Sequence, residues 1–418
     1  MPANPGVRRD PSSRRLLLLL ATAGLLVVVF VVRWIAEKPT EIAQSDFVPL
    51  QVAGVILREG HAAQLYDPVL QSRVYAAVVQ GSHPGTLFYI HAPIAAVLMV
   101  PFTLAGLDAA FRLWGLMQLA CLVAAVVIAA QAAHVPRHRG RVGALAAGVG
   151  LALPATLAML LEGQDVGMPA LLLACAYAAM RRRSPLLAGA LLGLAALAGK
   201  PHLFLGVAVW ILVWGDRRLI AGAIAGVAGA MLASLVAVGP GGIAGFVSAL
   251  ESGRSDFPNA QESVAGLFSA WTGGGRISTG LTVVVTLAAL AAVALAARRG
   301  AAGRISLESS LAVAIVLSLL CAPHLYPHDL ALLAPVFAWM TVAATGRDRD
   351  RGRALPGAAL FALLGVWVVL AVCLSVDGSG TLPAGAGSLA PYALVATALL
   401  VARPPSVLGK GPGRGQPV

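Results

Sequence analysis

The stretch APIAAVLMVPFTLAG, Ala92 to Gly106, decides how often this chain crosses a membrane. It is apolar enough to be counted as a span. The next apolar stretch, Phe111–Ala133, certainly is. Basic residues collect in the loops that stay in the cytoplasm. Here they fall in clusters: Arg8/Arg9/Arg14/Arg15, Arg137/Arg139/Arg141, Arg181/Arg182/Arg183, Arg217/Arg218, Arg298/Arg299/Arg304, Arg347/Arg349/Arg351/Arg353 and Arg403/Lys410/Arg414. If Ala92–Gly106 and Phe111–Ala133 both crossed, every cluster from Arg137 onward would lie outside. As a helix, residues 92–106 reach only about 22 Å, against a hydrocarbon core of about 30 Å. The stretch therefore reads as an interfacial or re-entrant helix within one outer interval, residues 37–109.

Composition sets the class. The chain has 418 residues, 58% hydrophobic and 11% charged, with a mean hydropathy of +0.83. Soluble domains carry about 25% charged residues, so this is an all-α polytopic membrane protein. The net charge of +12 then reflects cytoplasmic loops and implies no nucleic-acid partner. Forty-six glycines suit close helix packing. The expected spans are 16–36, 110–133, 142–161, 166–180, 185–199, 201–215, 219–238, 279–297, 307–322, 329–345, 355–375 and 387–402, about twelve, with both termini inside. They form a single domain over 16–402, between a basic cytoplasmic tail (1–15) and a Pro/Gly-rich tail (403–418) expected to be disordered. Arg33-Trp34 stands where a signal peptide would end in small residues, so the first span is expected to remain uncleaved. A second outer interval, 239–278, holds Gly239-Pro240-Gly241-Gly242 and Gly273-Gly274-Gly275. It reads as a lid-like loop or plain connector, with a short surface helix at Phe246–Glu251. Cys121, Cys175, Cys321 and Cys373 lie in or beside apolar runs without metal-ligand spacing and read as packing residues.

Charge inside a span is costly, and the polar residues of this chain are not scattered. Asp46, Tyr89, His91, Glu162, Gln164, Asp165, Lys200, His202, His324, Tyr326, His328 and Asp329 all fall in outer segments or at outer span ends. A transporter would place such groups near the midplane. One-sided clustering points instead to a site open to a substrate in the outer leaflet. Asp46, in Ser45-Asp46-Phe47, is a carboxylate tethered near the surface. It suits a base that takes a proton from an attacking hydroxyl; an exposed loop acid or helix cap is the plainer reading. Asp67, before Pro68, suits turn chemistry. Lys200, between two short spans, could face a leaving phosphate or simply snorkel. Glu162-Gly163-Gln164-Asp165 could meet sugar hydroxyls or merely join two helices. The turn from Pro323 to Asp329 could bind phosphate or hydroxyls through His324, Tyr326, His328 and Asp329. Its spacing is no known zinc pattern, and neither a cofactor nor a metal is expected.

These residues also carry a resemblance. Ser45-Asp46-Phe47, Leu65-Tyr66-Asp67-Pro68, Phe88-Tyr89 with Ala92-Pro93, Leu161-Glu162-Gly163-Gln164, Ala198-Gly199-Lys200-Pro201 and the Pro323–Asp329 turn resemble the C-type glycosyltransferases, and within them family 87. The similarity covers roughly residues 40–345. It implies the C-type fold, with interfacial helices and the catalytic Asp in the first outer loop. It also implies a polyprenyl-phosphate-sugar donor, mannose by default, and a glycolipid or glycan acceptor at the outer leaflet or periplasm of a bacterial plasma membrane. Carried over, Asp46 is the general base of an inverting hexosyl transfer by a monomer. Lys200 is a phosphate-side contact, and His324 or His328 touches substrate. The chain departs from the family where His91-Ala92-Pro93 replaces a Pro-Pro pattern and Gln164-Asp165 replaces Gln-Asn. A twelve-span transporter or lipid-linked sugar flippase, and a non-catalytic envelope scaffold, are the competing readings.

Overall fold

The computed structural model describes residues 11–80, 87–133, 139–252 and 262–349. The expected spans 355–375 and 387–402, the outer segment between them, Arg137, Cys373 and the C-terminal tail lie outside those residues. So does most of the N-terminal tail. Within the described residues the chain is helical, with no strand. The helices are α1 (Pro11–Ile35), α2 (Pro39–Ile42), α3 (Phe47–Arg58), α4 (Pro68–Val79), α5 (Pro93–Met99), α6 (Leu107–Ala132), α7 (Arg139–Leu151) and α8 (Pro154–Glu162). They continue with α9 (Gly167–Arg181), α10 (Pro185–Ala198), α11 (Leu205–Trp214), α12 (Arg217–Ser252), α13 (Val264–Thr272), α14 (Gly275–Ala301), α15 (Leu307–Leu320) and α16 (Leu333–Arg349). By length and apolarity α6, α12 and α14 can each cross a membrane unaided. The pair α7–α8, bent by 52°, adds a fourth candidate.

Residues 37–106 stay at one end of the bundle. The last turn of α1 and the first turn of α6 meet there: Arg112 of α6 donates to the carbonyls of Trp34 and of Glu37, the latter at 2.7 Å. Trp34 lies beneath Gly115, where a Cβ would meet its ring at 2.5 Å. A chain that leaves α1 and enters α6 at the same end makes no net crossing between them. The stretch 93–104 is α5 followed by a 3-10 turn, Val100–Leu104. Together they reach roughly 20 Å and pack along α3 and α12.

Two expectations need correcting. The interval 37–109 holds more than the one interfacial helix expected at 92–106, because α2, α3, α4 and α5 with two 3-10 turns cover more than half of it. Almost all of α3 is buried; Gly54 lets it press against Met99 and Thr103. The interval 239–278 is also largely helical. Gly239 takes φ 67° and ψ 179°, a non-helical conformation open to glycine, and divides α12 into two helical stretches at a kink, the first ending where the expected span 219–238 ends. Pro240 then stands in the first turn of the second half, where its missing N–H costs nothing. Beyond Ser252, α13 ends at Gly273. Gly273, Gly274 and Gly275 all have positive φ and turn the chain into α14.

Glycines also set the closest helix pair. Gly189 and Gly193 of α10, four residues apart, face Gly222 and Gly226 of α12. A Cβ at any of the four would collide with the other helix's backbone. This is small-residue packing of the membrane kind. At the end remote from residues 37–106, Glu308 joins α15 to α9, accepting from Tyr177 Oη at 2.9 Å and pairing with Arg181 at 3.2 Å.

Candidate active site

The polar residues singled out above come from turns between helices, and antiparallel packing brings those turns to one end. Asp46 immediately precedes α3. It is half-buried and its carboxylate Oδ2 accepts from Gln164 Nε2 at 2.7 Å. Its backbone N–H points at Glu162 Oε2, 3.4 Å away. The α8–α9 turn presents these partners because Gly163 adopts φ 61°. A Cβ there would meet Phe47 at 2.6 Å, and the Gly163 carbonyl accepts from Trp114 Nε1 at 2.9 Å. Glycine at 163 is therefore required twice, for its backbone angle and for the approach of α3.

Two residues further, Asp165 is buried and its Oδ2 lies 3.2 Å from His91 Nδ1. Burial alone would raise the Asp165 pKa, but His91 and Lys200 outweigh it and hold the carboxyl below its ordinary value. His91 is braced from behind. Its carbonyl accepts from Tyr66 Oη at 2.6 Å and its ring stacks on Tyr89. Tyr89 itself is 1% exposed. Its hydroxyl donates to the Ala92 carbonyl at 2.6 Å and accepts from Ala96 N–H at 3.0 Å. Tyr89 thus stands behind His91 rather than beside open space. Gln71 accepts from Tyr89 N–H at 2.7 Å and donates to the Leu65 carbonyl, locking the support.

Lys200 and the α15–α16 turn form the third group. Lys200 Nζ donates to Asp329 Oδ1 at 2.8 Å and lies 2.9 Å from His328 Nε2. Tyr326 places its ring 5.8 Å from the ammonium. Burial works against the charge on Lys200, yet Asp329 and, more weakly, Asp165 and Asp46 raise its pKa overall. His328 is pushed down to about 4, first by burial and then by the neighbouring ammonium. Its Nε2 is thus the acceptor from Lys200. His324 stands slightly apart, its ring edge-on to His202 at 6.0 Å, and its carbonyl lies 3.0 Å from His202 Nε2. Asp67, by contrast, caps α4, accepting from the Val69 and Leu70 N–H groups.

The neutral state of His328 has a measurable consequence. Below about pH 6.5 an unfolded histidine takes up a proton, whereas the folded ring does so only near pH 4. The unfolded chain therefore binds more protons across that window, and stability falls as pH falls, by up to about 1.4 kcal/mol per pH unit for one group. The Asp165 contribution is lost only lower, in the carboxylate range. His328→Asn is expected to flatten the melting-temperature slope between pH 6.5 and 4.5 in detergent. An unchanged slope would mean that the ring titrates normally.

Among the described residues no group of three or more His, Cys, Asp and Glu side chains has the geometry to hold a metal ion. A hollow of about 560 Å³ does exist at the opposite end, lined by Met180, Arg183, Pro185, Asp216, Arg217 and Arg218. Its single carboxylate, Asp216, caps α12 through the Arg218 and Leu219 N–H groups.

A bundle of apolar helices with buried acidic, imidazole and cationic groups gathered at one end has the outline of a multi-pass membrane protein with a polar site. The chain belongs to Glycosyltransferase family 87, whose profile matches residues 89–323, more than half of its length. No curated protein and no solved structure matches it significantly. The protein is thus a membrane glycosyltransferase. The matched region begins after Asp46 and includes His91, the Glu162–Asp165 turn and Lys200.

Proposed function

We propose that this enzyme transfers a hexose, mannose by default, from a polyprenyl-phosphate sugar to a glycolipid or glycan acceptor on the outer side of a bacterial plasma membrane. The described spans then belong to a set of about twelve, with the arginine clusters and both termini in the cytoplasm. The reading is supported by two groups at the same end of the bundle, Asp46 held by Gln164 and the buried Lys200–Asp329–His328 cluster. The Asp46 charge makes a small contribution at both Lys200 and His328.

In this reading the acceptor hydroxyl attacks the anomeric carbon in line, so the configuration inverts. The new C–O bond forms as the bond to the phosphate oxygen breaks. The hydroxyl proton passes to Asp46. Gln164 occupies Oδ2, which leaves Oδ1 to receive it. The polyprenyl phosphate leaves with an added negative charge and needs no proton. Lys200 supplies the compensating cation, exchanging some of its contact with Asp329 for the phosphate. Preorganised charge of this kind is where most of such rate enhancements arise. His324, His328 and Tyr326 flank the phosphate side, while His91, Glu162, Gln164 and Asp165 flank the sugar side. The scheme calls for no metal.

The test has two arms. Purified protein is offered polyprenyl-phosphate hexoses with a lipid acceptor, and transfer of labelled sugar is measured. In intact cells, cysteines at 46 and 326 are expected to react with an impermeant maleimide from outside, and one at 182 is not. External labelling at 182, or no transfer from any lipid-phosphate hexose, would overturn the reading.

A further inference from the structure

Glu262 has no part in the scheme above. It stands just before α13, and its backbone N–H donates to the Leu325 carbonyl at 2.7 Å. That bond ties it to the turn carrying His324, His328 and Asp329. Its side chain is 2% exposed, and among the described residues Oε1 has no hydrogen-bond partner. On the α8–α9 turn two more buried acceptors are unpartnered in the same way, Gln164 Oε1 and Asp165 Oδ1; Gln51 Oε1 in α3 and the Trp34 indole N–H are unpartnered too. The other polar atoms of the Gln164 and Asp165 side chains are engaged by Asp46 and His91.

Buried polar atoms are rarely left unsatisfied, and each exception calls for an explanation. Gln164 Oε1 and Asp165 Oδ1 can only accept. A phosphate or carboxylate brings only further acceptors and cannot satisfy these two. A polyhydroxylated ring brings O–H donors. Burial, reinforced by the charge of Asp329, also raises the Glu262 pKa well above its ordinary value. The group can therefore stay protonated and offer a hydroxyl both a donor and an acceptor.

We infer that Glu262, together with Gln164 Oε1 and Asp165 Oδ1, forms a hydroxyl-binding subsite that reads the ring of a sugar taking part in the transfer. The inference rests on the glycosyl-transfer reading and adds to it a residue that determines specificity. The hydroxyl could belong to the transferred hexose or to a sugar acceptor, and the experiment separates the two.

Wild type, Glu262→Met and Glu262→Gln are compared as purified full chains in the transfer assay, with Asp46→Asn as the inactive control. Donors and acceptors lacking one ring hydroxyl each are run beside the parent compounds. An unsatisfied buried carboxyl is a structural burden, so E262M is expected to melt higher than wild type. Its kcat/KM for the parent substrates is expected to fall by about tenfold to a hundredfold. For one deoxy compound the wild type loses a similar factor, while E262M no longer distinguishes it from the parent. E262Q, which keeps a donor and an acceptor, retains most of the discrimination. Whether the indifferent compound is a donor or an acceptor identifies the ring that is read. If E262M keeps wild-type kcat/KM and discriminates against every deoxy compound as before, the inference fails while the reaction stands. Transfer that survives Asp46→Asn counts instead against Asp46 as the base, and no transfer by the wild type from any lipid-phosphate hexose counts against the reaction. Should the Met side chain not fit, Glu262→Ala gives the same readout through discrimination alone.

Discussion

Asp46→Asn is expected to reduce sugar transfer by about a hundredfold to ten-thousandfold, the usual contribution of a positioned general base, with little change in fold. The substitution keeps the size and planarity of the side chain. It removes the one group in contact with Gln164 that can accept a proton from the attacking hydroxyl. Asp46 is half-buried and its carboxylate caps no helix, so folding does not depend on its charge. The Gln164 amide, 2.7 Å away, can still meet the Asn carbonyl after rotation. Melting temperature should stay within a few degrees of wild type, and donor binding should persist. Transfer near the wild-type rate would remove Asp46 from the mechanism, whatever the fate of the rest of the site.

The second large effect is expected at Lys200, where a single substitution would mislead. Lys200→Met deletes the cation that the proposed scheme sets against the leaving phosphate, but it also strands Asp329, whose side chain is fully buried. An unpaired buried carboxylate costs about 3–5 kcal/mol, enough to unfold many proteins and mimic a catalytic defect. The informative variant is Lys200→Met with Asp329→Asn. Neutralising both partners is expected to restore most of the melting temperature lost in the single variant, because buried pairs contribute little net stability. Transfer should nevertheless remain about a hundredfold to a thousandfold below wild type, the loss expected when one oxyanion contact disappears. If the double variant regained activity along with stability, Lys200 would be a structural partner of Asp329 and nothing more.

How far the sequence spoke for itself differs between elements. The short reach of Ala92–Gly106 and the positions of the arginines were enough to keep that stretch at one end, because both depend only on length and charge. The break at Gly239 was legible, because Gly-Pro-Gly-Gly signals a turn in most settings. That a second helical stretch starts at once from Pro240 was not. Burial of α3 escaped notice for a related reason: twelve residues are too few for a span, and its partners, Met99 and Thr103, lie far along the chain. Lys200, Asp329 and Asp165 announced themselves as charges at helix ends. Their pairings, Lys200 with Asp329 and Asp165 with His91, join residues 129 and 74 positions apart and have no local trace. Tyr89 carried a motif yet supports its neighbour. Glu262 carried none and stands against the His324–Asp329 turn. Its only signal was an acid before an apolar helix beginning at Val264, which is the ordinary look of a helix start.

The turn between α15 and α16 is made late in synthesis, long after Asp46 has left the ribosome. Until His328 and Asp329 arrive, Lys200 has no buried counter-ion. A nascent or truncated chain therefore already holds Asp46 and its Gln164 partner but cannot neutralise the Lys200 cation. On the proposed scheme, transfer then has to wait until nearly the whole bundle is in place.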